Sequence, residues 1–257
     1  MLPVLFHIGN FPVRSWGLLL MVGFLAGTWW AARNARRYGI APEDVWDISL
    51  VGLFGGVVGA RLFWVAQNLP YIARHPQEIA AVWTGGMTFY GGLFGGILAG
   101  MLMCRRKKVN MADMADLAGL AFPIGYFFGR IGCFLNGCCY GGECDLPWGT
   151  RFHLPNGTMT PPSHPAQLYA AVAAVIMFLV LRTIERRRAF PGQVILSFVG
   201  LYAIYRFFIE FVREGATADL AGIAHLTVGQ VFSLGVAVAV AVWYVLAARR
   251  PVRSTTR

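Results

Sequence analysis

Long apolar stretches that recur with short polar breaks dominate the hydrophobic pattern of the chain. A helix needs about 20 apolar residues to cross the roughly 30 Å hydrocarbon core of a bilayer. The pattern therefore predicts an all-α integral membrane protein of about seven transmembrane helices, forming a single domain over 1–257. The predicted helices cover 16–32, 48–69, 86–104, 117–135, 166–181, 194–212 and 228–248.

The composition agrees with a surface that faces lipid. Only 13% of the residues are charged, against about 25% in an ordinary soluble domain. A net charge of +10 would suggest nucleic-acid binding in a soluble protein, but the basic residues lie in short clusters between apolar runs. That arrangement is typical of a membrane topology determinant, so nucleic acid is not an expected partner.

Four basic clusters set the predicted orientation, since they follow alternate predicted helices. Cytoplasmic loops carry the excess of Lys and Arg, so the N-terminus is predicted outside and the C-terminus in the cytoplasm. No cleaved signal peptide is expected, because the N-terminal stretch lacks a basic region followed by a small-residue cleavage site. The clusters are Arg33, Arg36 and Arg37; Arg105, Arg106, Lys107 and Lys108; Arg182, Arg186, Arg187 and Arg188; and Arg249, Arg250, Arg253 and Arg257.

The segment 136–165 is the longest predicted connection, and the orientation makes it extracytoplasmic. It contains several prolines and glycines together with Cys138, Cys139, Cys144 and Trp148. We expect this segment, the cap, to be folded. Elsewhere, glycines at small-xxx-small spacing predict a close approach between two helices; they are Gly52, Gly55, Gly56 and Gly59 in one helix and Gly91, Gly92, Gly95, Gly96 and Gly100 in the next.

Arginines also lie inside three predicted helices, at Arg61, Arg130 and Arg206. Burying such a charge costs on the order of a few kcal/mol, so intramembrane arginines usually face a wet cavity or a partner. Glu210 and Arg213 follow Arg206 at i+4 and i+7, which puts the three on one helix face. A structural ion pair with Glu210 is one interpretation. The excess of basic groups favours a bound anion, for which a phospholipid headgroup in the outer leaflet is the natural source.

The stretch GRIGCFLNGCCYG at 129–141 resembles the signature GRxGNFxNxExxG of the prolipoprotein diacylglyceryl transferase family. Further blocks occur in the family's order and cover nearly the whole chain. They are GARL at 59–62, GGMTFYGGLFGG at 85–96, HPAQLY at 164–169, YAIYRFFIEFVR at 202–213 and GQVFS at 229–233.

The resemblance implies transfer of the diacylglyceryl group of phosphatidylglycerol to the lipobox cysteine thiol of a prolipoprotein, in the bacterial inner membrane. A thioether forms and glycerol 1-phosphate leaves, with no metal or organic cofactor. Arg130 and Arg206 match the family's essential arginines, and guanidinium groups would stabilise charge on the departing phosphate. The predicted phosphatidylglycerol-binding residues are Arg130, Arg206, Arg61, Asn136, Gly141, Tyr202, Glu210, Arg213, His164 and Gln167.

Some of these residues also have plainer interpretations. Asn136 and His164 are equally expected to satisfy the backbone at a helix end, and Glu210 to neutralise Arg206 or Arg213. The sequence departs from the family at Tyr90, which replaces the histidine expected to take the thiol proton. Tyrosine titrates near 10 and is a poor base unless a cation lowers its pKa. Tyr90 is the candidate base, and the alternative is a thiol that arrives as thiolate.

The cysteines are a second difference between this sequence and the family signature. Cys133 and Cys138 replace the asparagine and glutamate of the signature, and Cys139 and Cys144 lie close by. A disulfide in the cap and free packing cysteines both remain open, while the spacing does not match a paired CxxC zinc site. Two other functions compete with the family's reaction. One is a relative that uses the same phospholipid site with another acceptor, and the other is a non-catalytic lipid-binding or transport protein, for which paired inverted repeats are not found.

Overall fold

A computed structural model describes residues 2–9, 11–81, 85–153, 157–213 and 226–248. It divides into two compact units, Met1–Gly27 with Ala115–Arg257 and Thr28–Met114, and the prediction of a single domain stays a prediction. The elements are mainly helical. They are β1 Val4–Ile8, β2 Phe11–Arg14, α1 Ser15–Asn34, α2 Pro42–Gln67, α3 Leu69–Ile72, α4 Phe89–Lys107, α5 Met111–Asn136, α6 Ala166–Arg186, α7 Gln193–Ile209 and α8 Val228–Ala248.

Within the described ranges, six helices are long and apolar enough to cross a membrane, and the prediction of an all-α membrane protein is confirmed. The helix α4 is the seventh long one, but its glycines and its terminal Arg105, Arg106 and Lys107 lower its mean hydropathy. A seventh span and the orientation therefore stay predictions. The basic cluster predicted after α8, at 249–257, lies outside the described residues.

The unit Thr28–Met114 is organised by glycines on α2 and α4. A Cβ added at Gly95 would lie 2.8 Å from Gly59 Cα, and one added at Gly96 would lie 3.1 Å from Gly52 O. A Cβ at Gly59 would meet the carbonyl oxygen of Gly91 even more closely. The two backbones are in direct contact, so the close approach predicted from the glycine spacing is confirmed.

The other unit packs the first part of α1 and the helix α7 against α5. A Cβ added at Gly27 would lie 3.0 Å from Ala121 O, and one added at Gly119 would lie 3.0 Å from Ile195 Cα. The start of α7 is also held by Asp116 of α5, which is completely buried. Asp116 accepts from the backbone N–H groups of Gly192 at 2.8 Å and Ile195 at 2.9 Å and pairs with Arg188 at 2.8 Å. A carboxylate at a helix N-terminus satisfies donors that the helix leaves free.

The cap is folded, as predicted. The Thr150 and Ser163 backbones exchange two hydrogen bonds of 3.0 and 3.1 Å, and Thr160 N–H donates to Phe152 O at 2.8 Å. Phe152 is completely buried and stacks on Tyr140 with ring centroids 4.8 Å apart. This small core explains how a segment without a helix or a long strand is ordered.

The two short antiparallel strands β1 and β2 before α1 were not predicted. They are too short for the hydropathy pattern of a membrane helix, which was the pattern that located the long helices. The five cysteines are all free, so of the two alternatives the structure has free thiols.

Candidate active site

Arg130 lies near the C-terminal end of α5 and is half-buried. Its guanidinium carbon lies 4.7 Å from the centroid of the Tyr126 ring, one turn earlier on the same face. Tyr126 in turn donates to the Tyr205 hydroxyl at 3.3 Å and meets the Tyr202 ring edge-on at 5.8 Å. These three tyrosines, the tyrosine cluster, connect α5 to α7. Aromatic faces stabilise a guanidinium without neutralising it, so Arg130 keeps its charge available.

Arg206 is on α7 and forms an ion pair with Glu210 one turn later. The Glu210 carboxylate is buried, and it also accepts a hydrogen bond of 3.3 Å from the Thr227 hydroxyl. The interpretation that Glu210 neutralises an arginine is confirmed for Arg206. A buried carboxylate in this position fixes the orientation of the guanidinium.

Arg130, Arg206 and Arg213, the arginine cluster, carry more charge than the protein neutralises in its described part. Glu210 pairs with Arg206, and no described carboxylate forms an ion pair with Arg130 or Arg213. Glu214 and Asp219 lie outside the described residues. Positive charge held in a low-dielectric environment attracts an anion, and a phosphate matches the fork geometry of guanidinium groups.

Gly141 is where the cap meets the end of α7. A Cβ at this position would lie 2.8 Å from His164 Cβ and would collide with the Val212 carbonyl oxygen. Gly141 N–H donates to His164 O, and Gly142 N–H donates to Val212 O, both at 2.9 Å. Only glycine fits this contact, and it positions the segment that carries Glu210 and Arg213.

His164 and Gln167 connect the cap to α6. The His164 ring nitrogen Nδ1 is 3.3 Å from the Tyr169 hydroxyl, which also accepts from Trp148 Nε1 at 2.7 Å. Gln167 is completely buried, and its Nε2 donates to Cys138 O at 2.7 Å. Among the described residues its Oε1 has no hydrogen-bond partner. A buried acceptor without a donor is costly, and it marks a place where a further donor would bind.

Asn136 is the last residue of α5 and half-buried, at the turn that leads into the cap. Two cysteines beyond it, Cys138 and Cys139, come close to Cys133. The hydrogen bond from the Cys133 thiol, with smaller contributions from Cys138, Arg130 and Arg213, lowers the pKa of Cys139 to about 5. The proximity of these three thiols was not predicted, because residues five and six apart do not share a helix face.

Arg61 is described within the unit Thr28–Met114, where it is 4% exposed. Its Nε donates to Ile79 O at 3.1 Å, its Nη1 to Gly85 O at 2.5 Å and to Gly86 O at 3.0 Å, and its Nη2 to Glu78 O. The guanidinium also lies 4.5 Å from the Trp64 ring centroid. Most of its five donors are therefore used by the backbone, and the prediction that Arg61 binds phosphatidylglycerol stays a prediction.

Tyr90 belongs to the same unit and lies in the first turn of α4. Its side chain is 64% exposed and meets the Phe89 ring edge-on at 5.6 Å. No hydrogen bond to its hydroxyl occurs in the part of the chain that the structure describes. Its role as the base stays a prediction.

In the unit formed by Met1–Gly27 and Ala115–Arg257, the structure thus brings together most of the predicted site residues. It adds two residues that the sequence analysis missed. Tyr126 lies under the Arg130 guanidinium, and Tyr205 packs edge-on against the Tyr126 ring. The i, i+4 spacing of Tyr126 and Arg130 on α5 was a signal that would have found the first of them. A cavity of about 340 Å³ beside the cap, between Leu2, Phe134 and His153, contains none of the predicted site residues.

The helices define a class: a polytopic membrane protein, in which arginines of the cluster lie on two long apolar helices. Comparison with known proteins specifies the family. The profile described as prolipoprotein diacylglyceryl transferase matches residues 3–246, and this chain belongs to that family of transferases.

Named relatives are similar over nearly their whole length. A phosphatidylglycerol–prolipoprotein diacylglyceryl transferase of Geobacter sulfurreducens is 39% identical over 93% of this chain and 95% of the relative. The proteins of the same name from Rhodospirillum rubrum and Clostridioides difficile are 37% and 35% identical. They cover 96% and 90% of this chain, and 92% and 89% of the relatives. The resemblance drawn from the sequence motifs is confirmed.

Proposed function

We propose that this chain transfers the sn-1,2-diacylglyceryl group of phosphatidylglycerol to the lipobox cysteine thiol of a prolipoprotein. The observation that carries the proposal is the half-buried Arg130, whose guanidinium pairs with no carboxylate among the described residues. The relatives' names supply the two substrates, phosphatidylglycerol and a prolipoprotein. The site is proposed to lie toward the outer leaflet of the bacterial inner membrane, as the positive-inside orientation predicts.

The proposed reaction is a displacement at a glyceryl carbon. The thiolate sulfur forms a bond to that carbon, and the bond from the carbon to the phosphate oxygen breaks. The electron pair goes to the phosphate oxygen, and glycerol 1-phosphate leaves. Arg130 and Arg206 stabilise the charge that develops on the departing phosphate, in a site where a low dielectric strengthens the interaction. Glu210 keeps Arg206 oriented for this role.

The other residues of the site are assigned to the lipid headgroup and to positioning. Gln167 Oε1 is a buried acceptor that a headgroup hydroxyl would satisfy. Tyr202 supports the ring of Tyr126 under Arg130. Asn136, Gly141, His164 and Arg213 are assigned to the neighbourhood of the headgroup, because the cap and the end of α7 meet at Gly141.

The thiol proton needs an acceptor, and the phenolate form of Tyr90 is the proposed one, because Tyr90 stands where the family motif has a histidine; the phenolate oxygen takes the proton and becomes the phenol. Arg61, in contrast, is assigned to holding the backbone of 78–86, since that backbone already uses its donors. These two assignments differ in what they predict for activity, and both are tested below.

The test is complementation of a bacterial strain depleted of its own transferase, together with mass spectrometry of a lipoprotein substrate. The expected product is the preprotein with one added diacylglyceryl group on its lipobox cysteine, and Arg130→Ala is the matched inactive variant. Full expression in the membrane without this product would contradict the proposal. Transfer to a thiol outside a lipobox would instead support the alternative function, in which the same phospholipid site serves another acceptor.

A further inference from the structure

The turn that ends α5 brings two thiols into contact. Gly137, with φ of 75°, follows the helix, and its N–H donates to Phe134 O at 3.1 Å. The next N–H, of Cys138, donates back to Cys133 O at 3.1 Å. These two bonds define a Schellman motif, in which the side chains at the positions of Cys133 and Cys138 meet. In most proteins that contact is hydrophobic, and here it joins two cysteines.

A third thiol is added by an unusual backbone conformation. Cys139 has a φ of 65°, in the left-handed region that residues other than glycine, asparagine and aspartate rarely adopt. The result is that the Sγ atoms of Cys133, Cys138 and Cys139 all lie within 4.8 Å of one another. None of the three is in a disulfide. The structure maintains a strained residue where it completes a group of three soft ligands.

The turn is also held from outside. The buried Gln167 of α6 donates to Cys138 O at 2.7 Å, which fixes the peptide between Cys138 and Cys139. The guanidinium charges of Arg130 and Arg213 act on Cys139, and they would offset the negative charge of a thiolate complex. Ligands that are already gathered and fixed bind a metal ion with little reorganisation.

We propose that Cys133, Cys138 and Cys139, the thiol cluster, form a binding site for a soft d10 metal ion, with Cu(I) as the preferred ion. Thiolates select Cu(I) and zinc over harder cations. Structural zinc sites have four protein ligands, whereas the described residues gather three here. Three sulfur ligands suit the trigonal coordination of Cu(I). The inference does not depend on the transferase reaction.

The test is metal retention by the purified, reduced, full-length protein in detergent without oxygen. Bathocuproine disulfonate competes for Cu(I), and a chromophoric chelator competes for zinc in a parallel titration. We expect one Cu(I) per chain. Removing an outer-shell partner costs roughly 10–100-fold in metal affinity, so removing a ligand by Cys138→Ser or Cys139→Ser should cost at least about 100-fold.

The matched control is Cys144→Ser, which removes a free thiol of the same cap outside the thiol cluster. It should leave Cu(I) affinity unchanged. X-ray absorption at the copper edge should give three sulfur neighbours. The third ligand variant, Cys133→Ser, changes a residue inside α5, and if it fails to fold, the sulfur count of the wild-type protein tests the role of Cys133 instead. Failure to retain one Cu(I) per chain, an equal loss in Cys144→Ser, or nitrogen and oxygen neighbours would overturn the site. Retention of zinc alone would overturn the preference for Cu(I).

Discussion

Arg61 and Arg130 are both arginines inside predicted membrane helices, and their surroundings differ in kind. Arg61 is 4% exposed and donates to four backbone carbonyls. Arg130 is half-buried, lies over the face of Tyr126 and pairs with no described carboxylate. The first guanidinium is occupied by the protein, and the second is available to a ligand. An intramembrane arginine is therefore evidence for an anion site only after the partners of its N–H donors have been identified.

Arg130→Ala is expected to have the largest effect on transfer. Removing one preorganised donor to a developing oxyanion typically costs about 10²–10³-fold in rate, and we expect transfer to fall by at least that factor. Arg130→Lys should recover little, because an ammonium lacks the planar fork of a guanidinium. The measurement is diacylglyceryl transfer to a lipobox peptide, normalised to folded protein. The Arg106→Ala variant, which changes an exposed arginine at the end of α4, is the matched control.

Tyr90→Phe tests the proposed base. A positioned general base contributes roughly 10²–10⁴-fold to the rate, so the variant should lose at least about 100-fold in transfer. Its fold should be unchanged, because the hydroxyl of this exposed side chain has no partner among the described residues. Wild-type activity in Tyr90→Phe would rule out the phenol and favour a thiol that arrives as thiolate.

Glu210→Gln alters the orientation of one arginine without removing it. The neutral amide keeps the shape but loses the ion pair with Arg206. Misplacement of a catalytic group costs up to about 10²-fold, and we expect a loss between about tenfold and 100-fold. Thr227→Val, which removes the weaker contact to the same carboxylate, should have a smaller effect. A larger loss of transfer in Thr227→Val than in Glu210→Gln would contradict the assignment of Glu210 as the residue that orients Arg206.

Arg61→Ala should have the smallest effect on transfer and a clear effect on stability. It removes the donor of four hydrogen bonds to the carbonyls of 78–86, and each such bond contributes about 0.5–1.5 kcal/mol to stability. The temperature of thermal unfolding in detergent should therefore fall. Transfer per folded molecule should stay within about threefold of wild type, because the lost interaction does not stabilise the transition state. Loss of transfer with unchanged unfolding would reverse the assignment and make Arg61 a lipid ligand.

The sequence predicted features that repeat along a helix. Hydropathy located the long helices, glycine spacing predicted the contact of α2 and α4, and the i+4 spacing of Arg206 and Glu210 predicted their ion pair. The partners of Arg61 were not predictable, because they are backbone carbonyls of a loop and leave no side-chain pattern.

The thiol cluster was not predicted either, because it also depends on loop geometry that leaves no pattern in the sequence. Cys133, Cys138 and Cys139 meet only through a Schellman turn and a left-handed residue. Neither feature is visible in the spacing of the cysteines, which argued against a paired zinc motif. Tertiary and turn geometry, rather than periodicity, decided these parts of the site.

The most direct measurement counts phosphatidylglycerol bound to the purified protein by native mass spectrometry, with phosphatidylcholine as competitor. Because Arg130 is the guanidinium left without a described carboxylate partner, wild type should retain phosphatidylglycerol selectively and Arg130→Gln should lose that selectivity, while Arg61→Gln should keep it. Equal phosphatidylglycerol retention by wild type and Arg130→Gln would contradict the account.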